Sequence, residues 1–205
     1  MVRLDRRHVK RAQTIEELLE VAVQVMAEHG VAGLSLGEVA RRMGIRPPSL
    51  YVYVESKNAV YDAVFARGWQ AVHEVIAALP EPEPGGDTAT HLLEAARAYV
   101  RWSVEHPVHT QLMGWRPVPG YEPTPEAYEP AVATLGLARE RMARLQELGM
   151  LRADADLDEL LGAWTVLTGG VVSQQLANAP HQPFEEGSFT RLLPALVAMF
   201  AAHYS

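Results

Sequence analysis

The sequence predicts an all-α protein with a small amino-terminal head and a larger helical body. Apolar residues recur every three or four positions along most of the 205 residues, which is the period of an α-helix with one buried face. No run alternates apolar and polar residues for long enough to predict a strand. Residues 35–57 have the layout of two short helices joined by a glycine turn. Capped and periodic segments together indicate about nine helices.

The chain begins with a basic arm and a first helix. Apolar residues at helical spacing predict this helix over residues 12–29, and Gly30 ends the pattern. The arm before it contains five basic residues, Arg3, Arg6, Arg7, Lys10 and Arg11. Two interpretations of the arm remain open: a solvated leader, or a contact with phosphates or the minor groove of DNA.

The second helix is predicted to begin at a capping box. The Ser35 hydroxyl can accept hydrogen bonds from free backbone N–H groups, and Glu38 stands three positions later. Gly44 suits the left-handed turn that ends such a helix. The buried face is expected to consist of Leu36, Val39, Ala40 and Met43.

The third helix is predicted over residues 47–54. Pro47 and Pro48 fit a first helical turn, where backbone N–H groups have no intrahelical partner. Leu50 and Val54 are four positions apart and are expected to share the inner face. In a helix-turn-helix, the second of the two helices enters a DNA groove.

This stretch resembles the TetR family of one-component repressors. The run from Ser49 to Lys57, SLYVYVESK, has the Leu-Tyr pair, the aromatic residue two positions later and the lysine four beyond it in the register of the family. The double proline and Val52 depart from the family pattern. The resemblance covers residues 10–70 in detail, and the rest of the chain in helix layout only. It implies a homodimer that binds operator DNA through its amino-terminal helices and a small-molecule effector through the remaining ones.

We interpret polar, proline and aromatic residues of the helix-turn-helix as DNA contacts. Phosphate contacts are expected from Ser35, Ser49, Tyr53 and Lys57. Base-edge or methyl contacts are expected from Arg46, Pro47, Pro48 and Tyr51. In this hypothesis Arg46 donates to O6 and N7 of a guanine. The alternative for the two tyrosines is ordinary packing.

Ser56 is expected to cap a long fourth helix that connects head and body. A linker, PEPEPGGD, follows this helix. Residues 1–57 contain nine Lys or Arg against seven Asp or Glu, whereas residues 58–205 contain nine against eighteen, for a net charge of −7 in all. We therefore divide the chain into a DNA-binding domain, residues 1–57, and an acidic effector-binding and dimerisation domain, residues 58–205.

The body is predicted to contain five further helices. They are expected over residues 88–105, from 107 towards Trp115, over 130–148, over 156–179 and over 187–202, with a proline-rich loop at residues 116–125. Residues 160–177 are apolar on nearly every face and include Gly162, Gly169 and Gly170. The resemblance implies that the last two helices form a four-helix dimer interface, and an internal core helix is the alternative.

The effector pocket is expected among aromatic and polar residues of the body. The candidates are Trp102, His106, His109, Met113, Trp115, Tyr121, Tyr128, Trp164 and Gln174. Such residues at helical spacing are also typical of a core. His106 and His109 invite a metal hypothesis, but Pro107 interrupts the helix between them and no third ligand follows by spacing. We therefore predict no metal and no cofactor.

Composition limits the class of protein. Hydrophobic residues make up 48% and charged residues 21%, as in globular chains. The chain has no cysteine, no signal-peptide pattern and no apolar run long enough to cross a bilayer. We expect a soluble cytoplasmic regulator of transcription that acts as a repressor, binds a palindromic operator as a homodimer and is released by a small-molecule effector. The alternatives are an all-helical metal-dependent enzyme and a helical adaptor without DNA binding.

Overall fold

A computed structural model describes the backbone of residues 2–205 and the side chains from His8 onward. Over this range the chain forms nine α-helices and three short 3-10 helices, with no strand, which confirms the all-α prediction. The α-helices are α1 (Val2–His29), α2 (Leu36–Arg42), α3 (Pro47–Leu50), α4 (Lys57–Ala77), α5 (Thr88–Glu105), α6 (Pro107–Gly114), α7 (Pro125–Glu147), α8 (Leu157–Asn178) and α9 (Leu193–Tyr204). The 3-10 helices are Val31–Gly33, Phe184–Glu186 and Thr190–Leu192.

Two compact units divide the chain, and neither is continuous in sequence. The first unit is Met1–Gly68 with Val108–Glu129, and the second is Trp69–Pro107 with Pro130–Ser205. The chain therefore passes between the units inside α4, after the first residue of α6, and inside α7. The sequence-based division at residues 57 and 58 concerns function and stays a prediction.

The first helix begins earlier than the apolar pattern predicted. Helix α1 starts at Val2, so Lys10 and Arg11 belong to the helix and not to an arm before it. No glycine or proline precedes Gly30, and without a helix breaker the helix extends beyond its buried face. The side chains of the other three basic residues of the predicted arm, Arg3, Arg6 and Arg7, lie outside the described residues.

The helix-turn-helix forms where the capping and turn residues predicted it. The Ser35 hydroxyl accepts a hydrogen bond from Glu38 N at 3.4 Å, and Gly44 has a φ of +68°, in the left-handed region. Helix α3 is shorter than predicted and ends at Leu50. Tyr53 N and Val54 N both donate to the Leu50 carbonyl, which closes a turn in place of a second helical turn. Leu50 and Val54 are buried, as predicted.

Helix α4 begins at the predicted cap, where Ser56 Oγ accepts from Ala59 N at 3.1 Å. Its valines Val60, Val64 and Val72 are completely buried. Helix α7 begins at Pro125, five residues before the predicted start. Thr124 Oγ1 accepts from Ala127 N at 3.3 Å. A proline suits the first helical position because no partner is available there for an N–H.

The second unit has its core among α5, α8 and α9. Leu92, Ala96 and Val100 of α5 pack in one apolar cluster with residues of the last two helices. Asp156 caps α8, since its Oδ1 accepts from two backbone N–H groups at 2.7 and 3.0 Å. The last helix is shorter than predicted, because 3-10 turns occupy residues 184–192. Thr190 Oγ1 stabilises these turns by donating to the Phe184 carbonyl at 2.6 Å.

Candidate functional site

Helix α3 presents a run of exposed residues around one buried residue, Leu50. Leu50 is completely buried and fixes α3 in the first unit. The exposed residues are Arg46, Pro47, Pro48, Ser49, Tyr51 and Val52. Tyr51 and Val52 are 56% and 68% exposed, unusually high for large apolar side chains next to a core anchor. These exposed side chains can therefore contact the groove of a partner molecule without any change in the packing of the core.

Arg46 occupies the cap position of α3 and is exposed to solvent. Its backbone is extended, and its side chain makes no capping hydrogen bond. Pro47 and Pro48 follow in the first turn, so no backbone N–H is left unpaired there. An exposed guanidinium such as that of Arg46 can donate to a partner such as a guanine edge.

Two of the predicted phosphate contacts also have structural roles. Ser35 Oγ is the cap of α2. Lys57 Nζ donates to the Ala32 carbonyl at 3.2 Å and lies 5.5 Å from the centre of the Tyr61 ring. An ammonium group has three protons, so Lys57 retains donors for a phosphate. Tyr53 is half-buried, unlike the exposed Ser49.

A network of four charged side chains joins α1 to α2. Arg42 donates to Glu28 at 2.7 and 2.6 Å and to Glu38 at 2.7 Å, while Arg41 donates to Glu38 at 2.8 and 2.7 Å. The hydrogen bonds from Arg41 and Arg42 lower the pKa of Glu38 to about 2. The spacing of Glu38, Arg41 and Arg42 could have indicated part of this network. Its link to Glu28 depends on how the helices cross.

Arg11 connects the basic end of α1 with the segment after α3. Its Nη2 donates to the Val52 carbonyl at 3.4 Å. Arg11 and its neighbour Lys10 are both exposed. The described basic residues of the predicted arm are therefore on α1, and Arg11 contacts the segment that follows α3.

The first unit includes an aromatic contact between α4 and the loop before α7. Tyr121 donates its hydroxyl to Asp62 Oδ1 at 2.8 Å, and its ring centre lies 5.1 Å from that of Tyr61. Tyr61 in turn donates to the Val31 carbonyl at 2.9 Å, at the turn before α2. Burial and then the neighbouring Asp62 carboxylate raise the pKa of the Tyr121 phenol. This buried tyrosine connects the loop to the helix-turn-helix, and the sequence did not indicate Asp62 as its partner.

The predicted effector residues are distributed between the two units. His109, Met113, Trp115 and Tyr128 belong to the first unit. There Tyr128 stacks on Phe65, with ring centres 5.9 Å apart. In the second unit His106 stacks on Trp102, with ring centres 4.7 Å apart.

The remaining two effector candidates lie on α8. Trp164 packs edge-on against Phe200, with ring centres 5.3 Å apart. Gln174 lines an open apolar groove of about 610 Å³ that α8 and α9 form together. Val166 and Met199, on the two sides of this groove, are 76% and 69% exposed. A Cβ atom built on Gly170, another lining residue, would meet nothing within 4 Å.

Among the side chains that the structure describes, from His8 onward, no cluster of three or more His, Asp or Glu has the arrangement of a metal site. Across the same range, no helix combines the length and apolarity that a membrane crossing requires.

Comparison with known proteins finds two family models that match most of the chain. Residues 18–64 match the model described as bacterial regulatory proteins of the tetR family. Residues 92–196 match the model described as the tetracyclin repressor-like C-terminal domain. The two matches fall on the helix-turn-helix and on the larger part of the body.

Curated relatives match the chain over part of its length. It is 26% identical to the HTH-type transcriptional regulator Mb1846 of Mycobacterium bovis over 124 residues. The aligned residues are 60% of this chain and 53% of the relative. It is 31% identical to the HTH-type transcriptional regulator YobS of Bacillus subtilis over 94 residues. The aligned residues are 46% of this chain and 48% of the relative. The chain thus spans about half the length of the curated relatives it matches.

Solved structures match the fold over nearly the whole chain. The regulatory protein SCO4313 superimposes with a TM-score of 0.74 at 22% identity, covering 94% of this chain and 97% of that one. FadR from Bacillus subtilis, solved in complex with stearoyl-CoA, superimposes with a TM-score of 0.70 at 11% identity, covering 93% and 99%. The C-terminal family model alone matches half of the chain, and with the amino-terminal match it shows that this protein belongs to the TetR family of transcriptional regulators.

Proposed function

We propose that this TetR-family regulator is a repressor that binds a palindromic operator as a homodimer and is released by a small-molecule effector. The observation that carries the proposal is the exposed surface of α3, anchored by the buried Leu50. The family is one of DNA-binding regulators and not of enzymes, which removes the metal-dependent enzyme from consideration. Because the regulator acts on DNA, we expect it in the cytoplasm.

The DNA contacts follow from exposure and chemistry. Arg46 is the candidate for a bidentate bond to guanine, and Pro47, Pro48 and Tyr51 offer apolar contact to a thymine methyl. Ser49, Tyr53 and Lys57 are the candidates for phosphate contacts, and Ser35 contributes through the start of α2. Lys10 and Arg11 are exposed beside the segment after α3 and extend this basic surface.

The homodimer is supported by the open groove of α8 and α9. The groove is almost entirely apolar, and its exposed residues include Val166 and Met199. A two-fold axis through this surface would bring the same two helices from each subunit together and remove those side chains from water. Dimerisation also doubles the number of bases read, because each subunit contributes one α3. The doubling matters since α3 has only four residues.

The effector acts through a difference in affinity between two states. A ligand weakens operator binding only if it binds the DNA-free arrangement more tightly than the DNA-bound one. Helix α4 is continuous from Lys57 to Ala77, and its residues belong to both units. A displacement of α4 in each subunit would change the separation of the two reading helices from about one turn of DNA. FadR of Bacillus subtilis, which binds stearoyl-CoA, shares the fold but not enough sequence to indicate the same ligand.

Selection on random duplex DNA tests this proposal. Purified protein is incubated with a random duplex library at physiological salt, and the retained DNA is sequenced. We expect a palindromic motif with half-sites about one helical turn apart. The selection is repeated after unfolding and refolding without ligand, which removes any effector that was purified with the protein. No enriched motif from the refolded protein would contradict the proposal.

A further inference from the structure

Helix α4 holds the turn before α2 through two side chains on one of its faces. Tyr61 donates its hydroxyl to the Val31 carbonyl at 2.9 Å, and Lys57 donates its ammonium group to the Ala32 carbonyl at 3.2 Å. Tyr61 and Lys57 are four positions apart, so they are one turn apart on the same face of the helix. They therefore bind two consecutive carbonyls of the 3-10 helix Val31–Gly33.

Tyr61 is held firmly in this position. The side chain is completely buried, and burial raises the pKa of its phenol, so the hydroxyl stays protonated and remains a donor. Its ring centre lies 5.1 Å from that of Tyr121, whose own hydroxyl donates to Asp62 Oδ1 at 2.8 Å. Thr124 N donates to the same carboxylate oxygen at 3.3 Å. A buried hydrogen bond and a fixed neighbouring ring thus determine where the Tyr61 ring lies.

Lys57 is held less firmly, and it depends on Tyr61. Its side chain is half-buried, and its ammonium group contacts one carbonyl and the Tyr61 ring, whose centre is 5.5 Å away. A lysine side chain has many rotamers, and a contact with a phosphate must fix one of them. A carbonyl and an aromatic ring attract an ammonium group without cancelling its positive charge. The charge of Lys57 is therefore fixed in place and still available to an anion.

Tyr61 determines the place of the Lys57 charge in two ways. Its ring attracts the ammonium group directly, and its hydroxyl fixes the turn whose next carbonyl binds that group. The same turn leads into the helix-turn-helix, because Ser35, the cap of α2, is two residues after Gly33. A change at Tyr61 would therefore be felt at the Lys57 ammonium group.

We propose that Tyr61 is a positioning residue for DNA binding, which holds the Lys57 ammonium group where it contacts a phosphate. The inference rests on the proposed function, because it concerns the phosphate contact assigned to Lys57. It adds a residue that DNA does not touch, since Tyr61 is completely buried. The alternative is that Tyr61 serves only the core, in which case its loss would affect DNA binding independently of Lys57.

A double-mutant cycle separates the two roles. Affinity for the selected operator is measured at several salt concentrations for the wild type, Tyr61→Leu, Lys57→Ala and the double variant. Tyr61→Leu should weaken binding about 2- to 10-fold, the range of one lost hydrogen bond or cation–π contact. It should also reduce the slope of log affinity against log salt towards that of Lys57→Ala. In the Lys57→Ala background it should change neither quantity further. An equal loss in both backgrounds would overturn the inference.

A conservative variant separates the ring from the hydroxyl. Tyr61→Phe keeps the ring beside Lys57, and the Val31 carbonyl still accepts from Leu34 N at 3.4 Å. This variant should therefore lose less affinity than Tyr61→Leu and keep more of the salt slope. If Tyr61→Leu does not fold, the cycle is made with Tyr61→Phe, and an equal loss in both backgrounds again contradicts the positioning role.

Phe65→Leu is the matched control for core packing. Phe65 is 3% exposed and stacks on Tyr128, with ring centres 5.9 Å apart. It is on the same helix as Lys57 but eight positions further along, at a distance of about 12 Å. Phe65→Leu should lower the unfolding temperature and leave the salt slope of the wild type unchanged. Binding of every variant is measured well below its unfolding temperature. A reduced slope in Phe65→Leu would attribute the effect to the core and contradict the inference.

The outcomes distinguish this inference from the proposed function. The cycle is repeated on a duplex of random sequence at low salt, because a phosphate contact does not depend on base sequence. Coupling between Tyr61 and Lys57 on this duplex, without an enriched motif from refolded protein, would support the positioning role and reject the palindromic operator. An enriched motif with independent effects of the two substitutions would leave the repressor proposal intact and remove the positioning role. No binding to either DNA would overturn both.

Discussion

Arg46 and Lys57 are both candidates for contacts with DNA, but they are expected to contribute in different ways. Arg46→Ala should relax the preference at one base position in each half-site, at a cost of about 1–3 kcal/mol in discrimination. Lys57→Ala should weaken binding to all sequences and reduce the slope of log affinity against log salt by about one. Binding measured on the selected operator and on single-base variants, at several salt concentrations, distinguishes the two. An equal loss on every sequence for Arg46→Ala would reassign Arg46 to a phosphate.

Because Lys57 also donates to the Ala32 carbonyl, thermal unfolding of Lys57→Ala is needed as a control. An unchanged unfolding temperature would attribute the loss of affinity to the missing phosphate contact.

The Glu38 network makes the stability of the helix-turn-helix dependent on pH. The hydrogen bonds from Arg41 and Arg42 lower the pKa of Glu38 from 4.5 to about 2 in the folded protein. A lowered pKa stabilises the fold above the unfolded value of 4.5, and this contribution is lost as pH falls towards 2. The unfolding temperature of the wild type should therefore fall through this range, and Glu38→Gln should show a smaller fall from a lower value at pH 7.

Glu17→Gln, which removes an exposed carboxylate of α1, provides the comparison. Its pH dependence should follow that of the wild type. Parallel curves for all three proteins would show that the network has no influence on the acid stability.

Helix α6 approaches α4 closely at Gly68, within the first unit. A Cβ atom at this position would lie 2.4 Å from Met113 Sδ and 3.3 Å from His109 Cβ. Overpacking of this kind costs about 1–3 kcal/mol, while the better helix propensity of alanine returns about 1 kcal/mol. Gly68→Ala should therefore destabilise the protein by about 1 kcal/mol in chemical denaturation.

A double-mutant cycle identifies the cause. In a Met113→Ala background the thioether is absent, so Gly68→Ala should become neutral or stabilising. The same destabilisation in both backgrounds would exclude the contact with Met113 as its source.

The two predicted capping serines are confirmed, whereas the helix bounds predicted from periodicity are wrong at the start of α1, the end of α3 and the start of α7. Ser35 and Ser56 cap the helices that they were expected to cap, since a capping hydrogen bond spans only three residues. Helix α3 is shorter than the apolar pattern predicted, because a turn after Leu50 brings Val54 to its buried position. Periodicity alone does not distinguish one helical turn followed by a β-turn from two helical turns.

In the proposed dimer, the groove of α8 and α9 is the surface that links the two copies of the helix-turn-helix. Val166→Glu places a carboxylate in the apolar groove of α8 and α9, where burial of an unpaired charge is unfavourable. Sedimentation should show a monomer, and affinity for the palindromic operator should fall about 100-fold or more because the two half-sites are no longer linked.

Val132→Glu is the matched control. Val132 is an exposed valine of α7 outside the groove, so this variant should remain dimeric and bind the operator normally. Monomers of the wild-type protein at micromolar concentration would contradict the role of the groove.

The division into two compact units was not predicted from the sequence. A division at residue 57 follows chain order, whereas the first unit also includes residues 108–129. Tyr121 illustrates the reason, since its partner Asp62 is 59 positions away. The effector candidates share residue types and not a place in the fold, and the structure distributes them between both units.

The family, the all-helical class and the caps of α2 and α4 followed from the sequence alone. Periodicity, capping and the helix-turn-helix pattern act between residues that are close in the chain, so their physical consequences can be predicted from spacing. The link from Glu28 to Arg42 and the approach of Met113 to Gly68 required the tertiary structure. These contacts depend on the angle and register at which helices cross, which side-chain packing over the whole unit determines.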